Sequence, residues 1–476
     1  MTPLAKVGGL ADVVHGLCKE LGTLHLDTTI ILPFYGSLKK ELINSLKLFD
    51  QREFKHSGVT FNVNFWKGEF DEIPLVLIEP LSPYNYFSKK LIYGEDNDID
   101  RFMLFSYLAA SYISSLKHEV LVHLHDWPAA FVAPLLKLNL TKEKNINCKI
   151  IFTIHNLMHQ GKADISKLES FGITQKNEFQ DPENPNSLNL LKSAMIYADQ
   201  ITTVSPTYAK EILSHEFSYH LDETIWKCKE KTTGILNGID YDYFNPYSPS
   251  KLPFAFPQTP SSECIIQAKK KNKELLQKEL GLEILSKPLF CSITRLDYQK
   301  GPNLIGHVSK KIAEHQGQFI ILGQATTPYF ASIFTSLKEL LEPKKNFVYI
   351  DKFDEQLSKR LFAASDFIFI PSMFEPCGLT QMIGMRFGSI PIARKTGGLI
   401  DTVIDFESRE AKEEDKTGVT FFEATEQEAD KAISRALSLY ENKELYKKIL
   451  FNIVRKDFSW KHSAQEYLKI YHRLQF

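Results

Sequence analysis

Short apolar runs, mostly followed by a polar turn, recur along the chain and alternate with stretches of helical periodicity. A first series comprises Thr28–Leu32, Leu75–Ile78, Val120–Leu124, Lys149–Ile154, Gln200–Val204 and Thr233–Leu236. A second comprises Leu289–Thr294, Gln318–Leu322, Phe347–Ile350, Asp366–Ile370 and Ile390–Ala393. Between them, Leu357, Leu361, Ala364 and Ser365 define one face of a helix, and Leu379, Met382, Ile383 and Phe387 another. Near-continuous apolar strands alternating with amphipathic helices predict an α/β chain whose parallel sheets are covered by helices. Val59–Trp66 alternates instead, which predicts an antiparallel hairpin with Leu75–Ile78.

The two series are separated by Asp240–Ser262, where Pro246, Pro249, Pro253, Pro257 and Pro260 read as linker and surface loop. Two doubly wound, Rossmann-like domains are therefore expected, 1–239 and 240–457, with their parallel sheets facing a central cleft. A terminal helix within 458–476 follows. It puts Trp460, Ala464, Tyr467, Leu468 and Tyr471 on one face, which suits packing on either domain, including a return to the first. Folds of this kind bind ligands between domains and at the carboxyl ends of strands.

The first helix is plain: Leu10, Val13, Val14, Leu17, Cys18 and Leu21 share a face, and Gly22 stands where the residue after the helix belongs. Gly8-Gly9 opens it, a turn that in α/β proteins usually follows a buried strand. Met1–Leu4 is too short for that strand, and Pro3 discourages pairing.

A net charge of −1 over 476 residues gives no basic field for nucleic acid or an anionic membrane. The one basic run, Lys269-Lys270-Lys271-Asn272-Lys273, lies with Glu274 and Glu279 in a predicted helix and reads as a solvated face. Cys18, Cys148, Cys228, Cys264, Cys291 and Cys377 show neither CxxC nor zinc spacing, so free thiols in a reducing compartment are expected. No signal-peptide pattern is present, and no apolar run approaches the ~20 residues of a membrane helix, so the expected location is cytoplasmic. The absence of a Walker motif and of a GxGxxG with a following acid argues against a P-loop NTPase and an ordinary nicotinamide enzyme. Acidic residues at the strand ends are not clustered as metal ligands.

If strand ends carry the chemistry, the informative stretches in the first half are HLHDWPAA (His123–Ala130), FTIHNLMHQG (Phe152–Gly161), TTVSPTY (Thr202–Tyr208) and ILNGID (Ile235–Asp240). They bring His125, Asp126, Trp127, His155, Asn156, Ser205 and Asn237 to one rim, a set suited to reading hydroxyls. Each also has a plain structural reading, as a turn or a hydrogen-bonded strand end. In the second half, Arg295 and Lys300 are two cations five residues apart across a tight loop, a pair that suits a pyrophosphate. Glu375 sits in a Pro-Cys-Gly turn, and Leu379 and Thr380 offer backbone N–H groups at a helix start.

Together these motifs resemble the bacterial glycogen synthase and plant starch synthase family of retaining GT-B glycosyltransferases. The stretches that carry the resemblance are KVGGLADV (Lys6–Val13), HDW (His125–Trp127), FTIHNL (Phe152–Leu157), VSPTYA (Val204–Ala209) and LNGID (Leu236–Asp240). They continue with RLDYQKG (Arg295–Gly301), FEPCGLTQ (Phe374–Gln381) and RKTGGLIDTV (Arg394–Val403), spanning nearly the whole chain in order. The resemblance implies transfer of glucose from ADP-glucose to the non-reducing end of an α-1,4-glucan such as glycogen, with retained configuration and without cofactor or metal. It implies catalytic roles for His155, near the anomeric centre, for Arg295 and Lys300, on the leaving diphosphate, and for Glu375, facing the donor glucose. It further implies that Lys6, Gly8 and Gly9 meet the sugar nucleotide, that Asn237 bonds a glucose hydroxyl, that Asp126 and Trp127 border the acceptor side, and that Asn156 binds substrate. Cys377, Gly378, Leu379 and Thr380 complete the donor site. Phe353 fits the place of an aromatic beside the adenine, and equally a core residue at a strand end.

The chemistry agrees with these residues. Breaking a glycosyl–diphosphate bond builds negative charge on the leaving group, which two fixed cations and a helix N-terminus address. The departing phosphate can take the acceptor's proton on the same face, so Glu375 is expected to stabilise or position rather than attack.

Two departures from the family pattern stand out. The strand that usually precedes the Lys-x-Gly-Gly loop is absent, and the expectation is that Met1 is an internal methionine of a chain starting about ten residues or more earlier. Gly323-Gln324-Ala325-Thr326 replaces the usual Gly-x-Gly-Asp, which bears on recognition of base and ribose. Two alternatives follow: a retaining GT-B enzyme using UDP-glucose or another acceptor, and a non-catalytic glucan-binding relative.

Overall fold

The computed structural model describes residues 1–89, 91–141, 147–258 and 261–474. Residues 259–260 of the expected linker, Pro260 among them, and the last two residues of 458–476 lie outside the described residues. The chain divides into two compact units: Met1–Gly238 together with the chain from Trp460 onward, and Ile239–Ser459.

The first unit carries two four-stranded sheets. Strands β1 (Ile30–Pro33), β2 (Asn44–His56), β3 (Val59–Phe70) and β4 (Ile73–Pro80) form one in the order β1-β4-β3-β2, parallel only between β1 and β4. The alternating 59–66 segment pairs antiparallel with the following strand, Phe65 opposite Ile78 and Trp66 opposite Leu77. β2 carries no apolar run because it is an outer strand with mostly exposed side chains, held through β3 by pairs such as Gln51 with Asn64. β5 (Val120–His125) and β6 (Cys148–Ile154) begin the other sheet. After a small antiparallel ribbon of β7 (Lys162–Asp164) and β8 (Ser187–Asn189), β9 (Gln200–Thr203) and β10 (Thr232–Gly234) complete it, all parallel in the order β10-β9-β6-β5.

The first element is the helix Leu10–Thr23. Gly22 lies inside its last turn, not after it. His25 takes the left-handed position instead, at φ 62°, and the amides of His25 and Leu26 close on Gly22 and Leu21. This helix packs through Val13, Leu17 and Leu21 on the terminal helix Trp460–Arg473, which buries Trp460, Ala464, Tyr467 and Tyr471 against them. The Ser463 hydroxyl donates to the Leu236 carbonyl, and the Arg473 guanidinium to Gln200.

The second unit holds one parallel sheet. β11 (Leu289–Ile293), β12 (Gln318–Leu322), β13 (Phe347–Ile350), β14 (Phe367–Ile370), β15 (Ile390–Arg394) and β16 (Val419–Phe421) lie in the order β13-β12-β11-β14-β15-β16. β11, β12 and β14 are buried throughout, which is why they read as continuous apolar runs. β16 is only three residues long and gives no such run.

Two sequence readings fail here. The basic run is not a solvated face: Lys269 and Lys273 are buried, and Lys270 and Lys271 are exposed. Lys273 Nζ pairs with Asp366 at 2.7 Å, and Lys269 Nζ donates to the carbonyls of Ala363 and Ser365. Asp366 also accepts from the Leu289 amide and the Tyr446 hydroxyl, so this buried carboxylate is fully partnered at the amino ends of β11 and β14. Nor is 240–262 a free linker. Phe244, Leu252 and Phe256 are buried in the second unit, and the Arg386 guanidinium stacks 3.8 Å over Tyr241.

Candidate active site

In the first unit the parallel strands end on a cluster of imidazoles. His125 closes β5, and its Nδ1 lies 3.1 Å from His155 Nε2 at the end of β6. The His123 ring stacks on His125 with centroids 4.3 Å apart. Burial lowers the pKa of all three, His125 to about 4 and the other two well below the usual imidazole value, so they are neutral near pH 7.

Asp126 follows at φ 56°, a backbone conformation that Asp tolerates better than most residues, and opens the short helix Asp126–Ala130. Its Oδ1 accepts the His155 amide at 2.7 Å and, more weakly, the Asn156 amide at 3.4 Å. Asp126 thus ties the loop after β6 to the end of β5. Desolvation pushes its carboxyl up to about 7 against the opposing pull of those amides. Trp127 is buried, edge-on to Phe102, with its indole N–H donating to the hydroxyl of the exposed Tyr93 at 3.3 Å. Asn156 is partly buried and its side-chain oxygen accepts the Met158 amide. Asn237 is 4% exposed, and its Oδ1 has no hydrogen-bond partner. A buried orphan acceptor of this kind is uncommon and points to a ligand donor.

Lys6 pairs with Asp12 at 2.8 Å, Gly8 sits at φ 80° on the surface, and Gly9 precedes Leu10–Thr23 with no side chain capping the helix.

In the second unit the functional side chains cluster on the loops after β11 and β14. Lys300 Nζ lies 2.6 Å from Glu375 Oε2, which also accepts the Ser372 hydroxyl at 2.8 Å. The two loops are joined further by backbone and side chain: the Met373 amide donates to the Gln299 carbonyl and the Gln299 amide group to the Phe374 carbonyl. Gly301, at φ 65°, lets the first loop pass so close that a Cβ would stand 2.3 Å from the Pro371 carbonyl oxygen. The Gly398 amide donates to the Glu375 carbonyl, and a Cβ on Gly398 would meet the Cys377 carbonyl at 2.2 Å. Arg394 reaches the carbonyls of Ser372 and Met373.

Arg295 stays out, its side chain 69% exposed and only loosely paired with Asp297 at 3.4 Å. Cys377 is buried, and Gly378, Leu379 and Thr380 are partly exposed where the helix Thr380–Arg386 begins. Phe353 is 58% exposed after β13, so of its two sequence readings the core residue falls away. The Gly323–Thr326 loop zips onto the Arg295 loop, the Leu296 amide donating to Gln324 and the Thr326 amide to Leu296.

The structure thus groups His155, Asn156, Asp126, Trp127 and Asn237 on strand ends of the first unit, and Arg295, Lys300, Glu375 and Cys377–Thr380 on those of the second. Sequence reasoning passed over Ser372 and Arg394, which hold Glu375 and its loop. Ser372 left a faint trace in its place between a buried strand and the Glu-Pro turn.

Residues 1–227 match the family described as Starch synthase catalytic domain, and residues 276–449 match Glycosyl transferases group 1. The glycogen synthase of Protochlamydia amoebophila is 38% identical over 99% of this chain and 97% of its own length. Glycogen synthase 2 of Methylococcus capsulatus is 34% identical over 100% of this chain and 98% of its own. The probable starch synthase 4 of Arabidopsis thaliana is 39% identical over 99% of this chain, which spans 46% of that longer protein. The solved catalytic domain of Starch Synthase IV from Arabidopsis thaliana, bound to ADP and acarbose, superposes with a TM-score of 0.92 at 38% identity, over 99% of this chain and 97% of that one. The motifs, the two parallel-sheet units of a GT-B fold and full-length relatives of this similarity agree: the chain belongs to the glycogen and starch synthase family of glycosyltransferases.

Proposed function

We propose that this chain is a glycogen synthase that transfers glucose from ADP-glucose to the non-reducing end of an α-1,4-glucan with retention of configuration, working in the cytoplasm. The observation that carries the reading is the Lys300–Glu375 pair: a cation preset at 2.6 Å on a buried carboxylate, on the same loop as the exposed Arg295. As the glycosyl bond breaks, Lys300 and Arg295 neutralise the diphosphate, Lys300 from a position fixed before the reaction begins. Glu375, held by Lys300 and Ser372, faces the positive charge growing on the sugar. His155 borders the anomeric centre, and Asn237 takes a sugar hydroxyl on its orphan oxygen. Lys6, Gly8 and Gly9 contact the sugar nucleotide. Asp126, Trp127 and Asn156 shape the acceptor side, and Phe353 offers a face to the base.

ADP in the solved starch synthase IV complex supports the choice of donor. The Gln324 loop, zipped onto the Arg295 loop, is the feature that puts UDP-glucose in the same experiment. The test is glucose transfer to glycogen with ADP-glucose and UDP-glucose side by side. Transfer from ADP-glucose is expected. Preference for UDP-glucose overturns the donor, and glycogen binding without transfer from either overturns the activity.

A further inference from the structure

The imidazole cluster has a property that neither ring has alone. His125 Nδ1 and His155 Nε2 face each other at 3.1 Å. At that separation one nitrogen donates and the other accepts, since two protonated nitrogens repel and two bare ones do not bond. A neutral imidazole carries one proton, so the facing nitrogen dictates what the far one holds. If His125 Nδ1 donates, His155 Nε2 is bare and its proton sits on Nδ1. If His155 Nε2 donates, His125 Nδ1 is bare and its proton sits on Nε2. In either case the two rings share one tautomer, both protonated on Nδ1 or both on Nε2.

His125 is itself held. The His123 ring lies on it at 4.3 Å and 29°. His123 Nε2 bonds the Thr153 hydroxyl at 2.7 Å, which meets Thr202 at 2.6 Å, and His123 Nδ1 bonds the Tyr471 hydroxyl of the terminal helix at 3.1 Å. Every hydrogen-bonding atom of His123 is used, so its ring has one seat and His125 has a fixed floor.

We propose that His125 is a positioning residue that sets the tautomer of His155, and so decides whether the outer nitrogen of His155 donates to the substrate or accepts from it, with His123 and Tyr471 holding His125 in register. The proposal rests on the reading that His155 borders the anomeric centre. It needs no change of charge, only a fixed proton on each ring.

Three variants and their 15N-histidine spectra test it in the full chain. His125→Phe keeps the bulk and removes the nitrogen, and His125→Asn returns an amide group where Nδ1 stood. His155→Gln identifies the His155 signals. His125→Phe should lower kcat ~10- to 100-fold, the scale of lost outer-shell orientation, and leave KM for ADP-glucose within about twofold. His125→Asn should recover most of that loss. In 15N-histidine spectra of the wild type, His125 and His155 should show the same single tautomer, and His155 should become a mixture in His125→Phe. Opposite tautomers in the wild type overturn the proposal. So does a His125→Phe enzyme of wild-type kcat, or equal loss in both His125 variants with unchanged His155 signals. A wild type that transfers no glucose counts against the assigned activity, and the spectra then decide the coupling by themselves.

Discussion

Lys300 Nζ and Glu375 Oε2 are 2.6 Å apart, and they join two loops that are 75 residues apart in sequence. Removing the cation has two separable effects. Lys300→Ala should lower kcat by ~100-fold or more, as loss of one preorganised electrostatic donor does. It also strands a buried carboxylate and should destabilise the fold by ~1–3 kcal/mol. The double variant Lys300→Ala/Glu375→Gln should regain the stability and none of the activity. Thermal melts beside steady-state kinetics read both, and an unchanged kcat in Lys300→Ala removes Lys300 from the mechanism.

Asn237 makes the opposite prediction. Its buried Oδ1 already lacks a partner. Asn237→Ala should therefore leave the melting temperature unchanged or raise it, because an unsatisfied group is removed. The same change should lower kcat/KM for the donor ~10-fold or more, the loss expected for one hydrogen bond to a ligand. A large fall in melting temperature would mark Asn237 as structural.

The strand-end cluster should shape stability against pH from both sides. His123, His125 and His155 are held neutral by burial, so the unfolded chain binds more protons below its histidine pKa. Stability should fall as pH drops from the usual imidazole value of 6.5 towards the His125 value of about 4. Asp126 runs the other way. Its carboxyl is raised to about 7, so the folded chain holds the extra proton, and stability should fall as pH rises from 3.8 through 7. Asp126→Asn should remove the fall in stability towards pH 7 and, because the two windows overlap with opposite slopes, steepen the fall towards pH 4. Melts from pH 4 to pH 9 measure both.

Lys273 provides the control. Lys273→Ala leaves Asp366 buried without its ion-pair partner, which should destabilise the fold by ~3–5 kcal/mol. The group lies at the amino ends of the strands, far along the sheet from Lys300, so kcat per folded molecule should not change. A changed kcat at full occupancy of the native state would tie this network to the reaction.

How much of this was legible in sequence depends on burial. Gln318–Leu322, buried throughout, and Phe347–Ile350, buried at alternate positions, match their predicted bounds because both are apolar runs, the first after an opening glutamine. β2 was invisible because its side chains are mostly exposed and its order comes from β3. The Lys269–Lys273 run misled because composition records charge and not partners, and Asp366 lies almost a hundred residues further along the chain. Gly22 misled because a histidine can occupy the left-handed position when two amides close behind it. At the site, Lys300 and Glu375 were legible as motif residues, and their contact was not. Ser372 and the His125–His155 pairing are facts of tertiary placement that no local spacing carries.

The return of the terminal helix to the first unit has a consequence for biosynthesis. Val13, Leu17 and Leu21 are made more than four hundred residues before Trp460, Tyr467 and Tyr471, which cover them. On the ribosome, Ile239–Ser459 can close on itself while the earlier half still waits with an uncovered apolar face. Maturation therefore runs out of synthetic order, and a nascent chain halted short of Trp460 would present that bare stripe to chaperones.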